Sequence, residues 1–249
     1  MKYVMITGTS RGIGAAMAAQ LMGENYHIFC IARTNNEQLL EGADMSNNRL
    51  SSYPFNLNHL GDIEQLFTEI FYEINCGPPA EAIYLINNAG MLSPVVPIER
   101  AVADSIIENV TINLLAPMIM TSNFIKQTQK FNLDKRILNI SSGSAKYLMP
   151  SQSCYSTSKA AVDSFSKSVS LEQMNLPYPV KVASVYPGMI DTQMQSEIRA
   201  VSQENFPYVE QFKQLAQEGR LQTPEYTAQR LIDILLHEDF GSVAVIEEL

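Results

Sequence analysis

Tryptophan is absent from this 249-residue chain, and cysteine and histidine occur only three times each. Cys30, Cys76 and Cys154 are odd in number, far apart and without a C-x-x-C pair, so neither a disulfide framework nor a zinc site is expected. His27, His59 and His237 are equally scattered; no metal site is expected from them, and none has an evident pairing role. Cations are in deficit, 17 Lys and Arg against 26 Asp and Glu, a formal charge of −9. That balance repels phosphate backbones and anionic headgroups, which argues against nucleic-acid and membrane partners. No apolar run approaches the roughly 18 residues of a membrane span. The apolar stretch Tyr3–Ile6 is too short for a signal-peptide core, so a cytoplasmic protein is expected. There is no Pro/Gly/Ser-rich linker and no internal repeat. With 46% hydrophobic and 17% charged residues the composition is globular, and the length suits one α/β domain spanning residues 1–249. A chain of this size buries about 70–75% of its unfolded surface and folds without covalent or metal support.

What is present is alternation. Short β-rich runs at Lys2–Thr7, Tyr26–Arg33, Leu50–Phe55, Ala82–Asn87, Arg136–Ser141, Val180–Tyr186 and Ser242–Ile246 read as seven strands. Helical patterns at Gly12–Met22, Leu60–Ile74, Asp104–Lys130, Tyr155–Met174 and Pro224–His237 lie between them, with a break near Pro117. In Leu60–Ile74 the stripe Ile63, Leu66, Phe67, Ile70, Phe71, Ile74 has helical spacing. Strands alternating with helices give βαβ units, hence a doubly wound, Rossmann-type parallel sheet with helices on both faces. The least patterned stretch, Gly188–Gly219, carries Met189, Met194, Phe206, Tyr208 and Phe212. It is either a lid over a ligand, at about residues 188–219, or a helical pair packed on the body.

The first strand runs into Gly8-Thr9-Ser10-Arg11-Gly12-Ile13-Gly14 and then a helix. Glycines there permit a tight turn and close approach of backbone to a pyrophosphate. The helix behind them directs free N–H groups and its positive end at that anion. A dinucleotide site usually places an acid at the end of the second strand to hold the ribose hydroxyls. Here the sequence reads Cys30-Ile31-Ala32-Arg33-Thr34, with no carboxylate before Glu37. Arg33, with Arg11 from the loop, suits a 2′-phosphate and favours NADP(H) over NAD.

Tyr155 and Lys159 stand one helical turn apart, so both lie on one face. A free tyrosine titrates near pH 10, about three units or roughly 4 kcal/mol above neutrality. A nearby ammonium favours the phenolate and eases proton exchange with a substrate oxygen. Ser141 and Ser142 end the fifth strand, Asn87-Asn88-Ala89-Gly90 the fourth, Pro187-Gly188 the sixth, and Asn113 lies in the long helix. Ligands of α/β sheets bind at these carboxyl ends. No G-x-S-x-G occurs, which argues against a serine hydrolase.

The ordered set Thr7, Gly8-x-x-x-Gly12-x-Gly14, Asn87-Asn88-Ala89-Gly90, Asn113, Ser142, Tyr155-x-x-x-Lys159 and Pro187-Gly188 with Thr192 resembles the short-chain dehydrogenase/reductase family over essentially the whole chain. Within it, "YVMITGTSRGIG", "LINNAGMLSPVVPIE", "INLLAPM", "RILNISSG" and "YPGMIDTQMQ" are most similar to the benzil reductase and sepiapterin reductase-like branch. The resemblance implies NADP(H) held by Gly8, Ser10, Arg11, Gly12, Ile13, Gly14, Arg33, Asn56, Leu57, Asn88, Ala89, Gly90, Pro187, Gly188, Ile190 and Thr192, with Tyr155 and Lys159 on the nicotinamide ribose side. Tyr155 is then the general acid in carbonyl reduction, Lys159 depresses its pKa, Ser142 bonds the substrate carbonyl, and Asn113 positions a water linking Lys159 to solvent. A homodimer or homotetramer built on the helices Asp104–Lys130 and Tyr155–Met174 is implied too. The family often has Asp where this chain has Asn56, whose amide oxygen can still accept from adenine, without charge.

The substrate expectation is a ketone or 1,2-diketone against Ser142, Ser144, Tyr147, Met149, Tyr155, Met189, Met194, Tyr208 and Phe212, a largely apolar set with adaptable methionines. Two alternatives stay open. A 3-oxoacyl carrier-protein reductase uses the same constellation but needs a basic docking patch. A non-catalytic NADP-sensing protein keeps the fold without turnover.

Overall fold

The computed structural model describes residues 1–46 and 48–249. In its first strand, β1 (Lys2–Thr7), Val4 and Ile6 point to one face of the sheet and Tyr3 and Met5 to the other, all fully buried. The same division continues in β2 (Tyr26–Ala32) and β4 (Ala82–Asn87), as the two-residue period of a strand sandwiched on both faces requires. With β3 (Arg49–Pro54), β5 (Asp134–Ile140), β6 (Val180–Val185) and β7 (Val245–Ile246) they form one sheet of order β3-β2-β1-β4-β5-β6-β7. Every pairing is parallel. This is the doubly wound, Rossmann-type single domain that the alternating pattern predicts.

One core layer packs α1 (Gly12–Leu21) and α9 (Pro224–Leu236) on the Val4–Ile6 face. The other packs α3 (Ile63–Cys76) and α5 (Ala116–Thr128) on the Tyr3–Met5 face. The predicted stripe of α3 is buried throughout. A helix that the pattern reading did not mark, α2 (Glu37–Ser46), crosses from β2 to β3; only Leu39 and Ala43 are buried in it, so its periodicity is weak.

The long predicted helix is interrupted near Pro117, as expected, just before the proline itself. After α4 (Ala103–Val110) comes a π-helical turn, Thr111–Leu115, in which the Ala116 N–H bonds the Thr111 carbonyl, and α5 then runs on with Pro117 in its first turn. Pro117 has no N–H to return to the Asn113 carbonyl, so the ladder is broken upstream of the proline.

Strand ends differ from expectation by up to three residues. β5 begins two residues earlier because Lys135 and Arg136, charged yet buried, are satisfied by backbone. Lys135 Nζ donates to the Phe131 carbonyl (3.1 Å), and Arg136 Nη1 to the carbonyls of Leu235 and His237 (2.6 Å each). His27 is also partnered, contrary to the sequence reading. Its Nε2 lies 2.8 Å from Ser51 Oγ and 3.2 Å from Glu73 Oε1. Serine and carboxylate share one ring nitrogen, so the cluster is not a relay across the ring.

Candidate active site

At the carboxyl ends of the strands lies a cavity of about 830 Å³. The chain leaves β1 for β2 and β3 and returns through β4 on the other side, so the crevice between β1 and β4 is where α/β sheets take ligands. Its floor is the glycine loop. Gly8 and Gly12 have φ of +76° and +60°, in the left-handed region that a Cβ disfavours. Gly14 does not line the cavity; a Cβ on it would collide with the Gly8 carbonyl oxygen and with Asn88 Nδ2. That glycine makes α1 pack tightly on the loop.

Asn88 joins the two strands that flank the crevice. Its Nδ2 donates to the Thr7 carbonyl (2.9 Å), and Thr7 Oγ1 accepts from the backbone N–H groups of Asn88 and Ala89 (3.0 Å each). Gly8, Ser10, Arg11, Gly12, Ile13, Arg33, Asn56, Leu57, Asn88, Ala89, Gly90, Pro187, Gly188, Ile190 and Thr192 all line the cavity. Arg11 and Arg33 are exposed and, among the described residues, form no ion pair. Asn56 Oδ1 accepts from the Asn58 N–H (3.1 Å) and retains a second lone pair. Tight backbone at a helix start, an open crevice and two free guanidiniums fit a phosphorylated dinucleotide.

At the other end of the cavity stand Ser142, Tyr155 and Lys159. Tyr155 and Lys159 project from α6 (Ser153–Gln173) and are buried. Lys159 Nζ donates to the Ile140 carbonyl (2.7 Å) and lies 5.7 Å from the Tyr155 ring centre. Burial lowers the Lys159 pKa to about 8, and the Asp163 carboxylate acts in the opposite direction. Asp163, one turn further along α6, accepts from Ser184 Oγ (2.5 Å) and Tyr186 Oη (2.7 Å). Burial pushes the Tyr155 phenol up, the Ser142 hydroxyl opposing it. That direction is opposite to the one expected from an adjacent ammonium; desolvation under Leu92, Ile198 and Phe212 dominates. Of the two adjacent serines, Ser141 donates to the Lys159 carbonyl (3.3 Å), whereas Ser142 Oγ accepts from the Ser144 N–H (3.1 Å).

Asn113 does not line the cavity; it lies behind the wall. Its Oδ1 accepts from the Met91 N–H (2.9 Å), and its Nδ2 donates to the Met91 carbonyl (2.8 Å), Asn109 Oδ1 (3.1 Å) and Ser158 Oγ (3.3 Å). The π-helical turn, the loop after β4 and α6 meet on this one side chain.

Gly188–Gly219 forms α7 (Gln193–Arg199) and α8 (Val209–Gln217). Its base is closed by Gln222, whose N–H bonds the Met189 carbonyl and whose carbonyl accepts from the Asp191 N–H (2.9 Å each). Ile198, Phe206, Val209 and Phe212 pack with Leu92 and Tyr155 in a third apolar cluster. Ser144, Tyr147, Met149, Met189, Met194 and Phe212 line the cavity. Tyr208 does not: its ring packs 6.1 Å from that of Phe206, at the start of α8. Sequence reasoning missed Met91, Leu92, Gln152, Gln222 and the tail Glu247–Leu249, which also line it. These lie in turns or at the end of the chain, without a periodic signal; the tail is held near the mouth by Lys146–Glu247 (2.5 Å).

The family model for short chain dehydrogenase matches residues 2–203, and the chain belongs to the short-chain dehydrogenase/reductase family, oxidoreductases that use a nicotinamide cofactor. Among curated relatives, it is 41% identical to a benzil reductase ((S)-benzoin forming) of Bacillus cereus over 250 residues, the whole of both chains. A benzil reductase ((S)-benzoin forming) of Bacillus subtilis (strain 168) is 32% identical over 235 residues, 94% of this chain and 93% of that one. In fold it is similar to the crystal structure of the KRED1-Pglu enzyme, with a TM-score of 0.83 at 24% identity over 99% of this chain and 100% of that one.

Proposed function

We propose that this protein is an NADPH-dependent carbonyl reductase acting on ketones or 1,2-diketones. The carrying observation is that Tyr155 and Lys159, both buried, open on the same cavity as the glycine loop. The full-length similarity to benzil reductases supports the substrate class. The glycine loop would hold the phosphates of a reduced nicotinamide dinucleotide, which when bound would supply the hydride. Ser142 Oγ donates to the carbonyl oxygen, and Tyr155 Oη gives that oxygen its proton. Burial keeps Tyr155 protonated at neutral pH, which is the state a general acid needs. With a pKa of about 8, Lys159 is still an ammonium there and compensates the phenolate left behind. Asn113 is a positioning residue that fixes the Met91 loop against α6. Arg11 and Arg33 take the 2′-phosphate. The segment α7–α8 is a lid whose apolar cluster shields Tyr155 from water. Exposed Ile107 on α4 and Leu171 on α6 support a homodimer or homotetramer through those helices.

Ketone-dependent loss of NADPH absorbance tests the reading. Tyr155→Phe is expected to lower turnover by about 10²-fold or more while NADPH binding, followed by fluorescence, stays intact. Retained turnover in that variant overturns the assignment of the acid. Equal or faster rates with NADH overturn the reading of Arg11 and Arg33.

A further inference from the structure

Gln152 immediately precedes α6, three residues before Tyr155; it is 3% exposed, yet it lines the cavity. Its side chain makes no bond to the free N–H groups of the helix start. Among the described residues its side chain has one bond, a long one from Ser144 Oγ to Oε1 (3.4 Å). The Nε2 amide, a double donor, has no acceptor there and is left on the cavity side. The chain accepts backbone strain to reach this turn: Ser151, with φ of +65°, is the one non-glycine residue of positive φ among those described. Such strain persists where the surrounding structure enforces it, often at a ligand site.

Among the described residues Nε2 is not one of the polar atoms sealed from solvent, so water meets this donor until a ligand oxygen displaces it. We infer that Gln152 donates to a second oxygen on the substrate, adjacent to the carbonyl held by Ser142 and Tyr155, and thereby selects vicinal dicarbonyl compounds over simple ketones of the same shape. The inference rests on the carbonyl-reductase reading and narrows its substrate. Ser144 orients the amide: its hydroxyl donates to Gln152 Oε1 while its N–H donates to Ser142 Oγ (3.1 Å), so one chain of bonds links the residues beside both oxygens. A ketone with a methylene in place of the second carbonyl leaves the amide unpaired, and sites built on hydrogen bonds discriminate strongly against such analogues.

The test compares benzil with deoxybenzoin, which keeps both rings and replaces one carbonyl by CH2. Wild type, Gln152→Met and Gln152→Glu are assayed with NADPH. Met keeps the length of the side chain and removes the donor; Glu keeps the shape and sets an acceptor against an acceptor. In Gln152→Met, kcat/KM for benzil is expected to fall about tenfold while that for deoxybenzoin stays within about twofold. Gln152→Glu should lose more on benzil, and the enantiomeric excess of the benzoin should fall in both variants. Equal losses on both substrates, or none, overturn the assignment, because a packing role affects the pair alike. A wild type that reduces deoxybenzoin and not benzil overturns it also. A wild type that reduces no ketone overturns the carbonyl-reductase reading itself, and this inference with it. Melting temperature and NADPH fluorescence identify a variant that has not folded; the other variant then decides.

Discussion

Replacing Asp163 by asparagine removes one buried negative charge and preserves the shape that Ser184 and Tyr186 bind. The carboxylate is the group that resists the burial-driven fall of the Lys159 pKa, which stands at about 8. Without it the ammonium loses its stabilising partner, and its pKa falls further. The sign follows from chemistry: in the proposed mechanism reduction needs Lys159 charged, so the alkaline limb of the rate profile moves to lower pH. A one-unit fall corresponds to about 1.4 kcal/mol and takes the charged fraction at pH 7 from about nine-tenths to about one half. Neutral-pH activity then drops about twofold, and the loss grows steeply above it. Asparagine can keep one of the two bonds as acceptor, so unfolding free energy should fall by only about 1–2 kcal/mol. The assay is kcat/KM against pH from about 6 to about 10 for wild type and Asp163→Asn. An unmoved alkaline limb in a folded variant refutes the coupling between Asp163 and Lys159.

Two other perturbations follow from contacts already described. Gly14→Ala drives a Cβ against the Gly8 carbonyl and Asn88 Nδ2, and should cost about 1–3 kcal/mol together with a loss of NADPH affinity of about tenfold or more; an unchanged melt with unchanged affinity is the contrary result. Burial, with Arg49, holds the His27 pKa below its usual 6.5 and outweighs the opposing pull of Glu73. The unfolded chain therefore binds the extra proton first, and the contribution of His27, complete above pH 6.5, is lost as pH falls towards the lower folded value. Thermal melts of His27→Gln should accordingly vary less with pH over that acid range than those of wild type, and equal slopes would contradict the reading.

Seven strands, their parallel pairing and the glycine loop were legible because buried parallel strands are near-continuous apolar runs and glycine punctuates their ends. The residues at those ends come together in the cavity for the same reason: one sheet carries them all at one edge. The break in the long helix was legible near Pro117, and it falls just before it because a proline disturbs the carbonyl four residues upstream. Lys135 hid the start of β5, because a charge satisfied by carbonyls cannot be told from a solvated one in sequence. Gln152 escaped for a different reason. Its environment depends on a left-handed Ser151 and on Ser144 from another loop, neither of which a periodicity carries. Tyr208 was misassigned because its ring lies on the outside of the α7–α8 segment, exposed and leaning on Phe206, and a sequence does not tell which side of such a segment an aromatic takes.

The knot between Thr7 and Asn88 has a dynamic consequence. Fraying of the N-terminal strand would release the Ala89 amide and leave that of Asn88 only its bond to the Ile86 carbonyl (3.1 Å), so the mouth of the crevice loosens together with the innermost pair of strands. Local opening there is thereby tied to near-global unfolding, and the two amides should exchange with solvent deuterium about as slowly as the centre of β4.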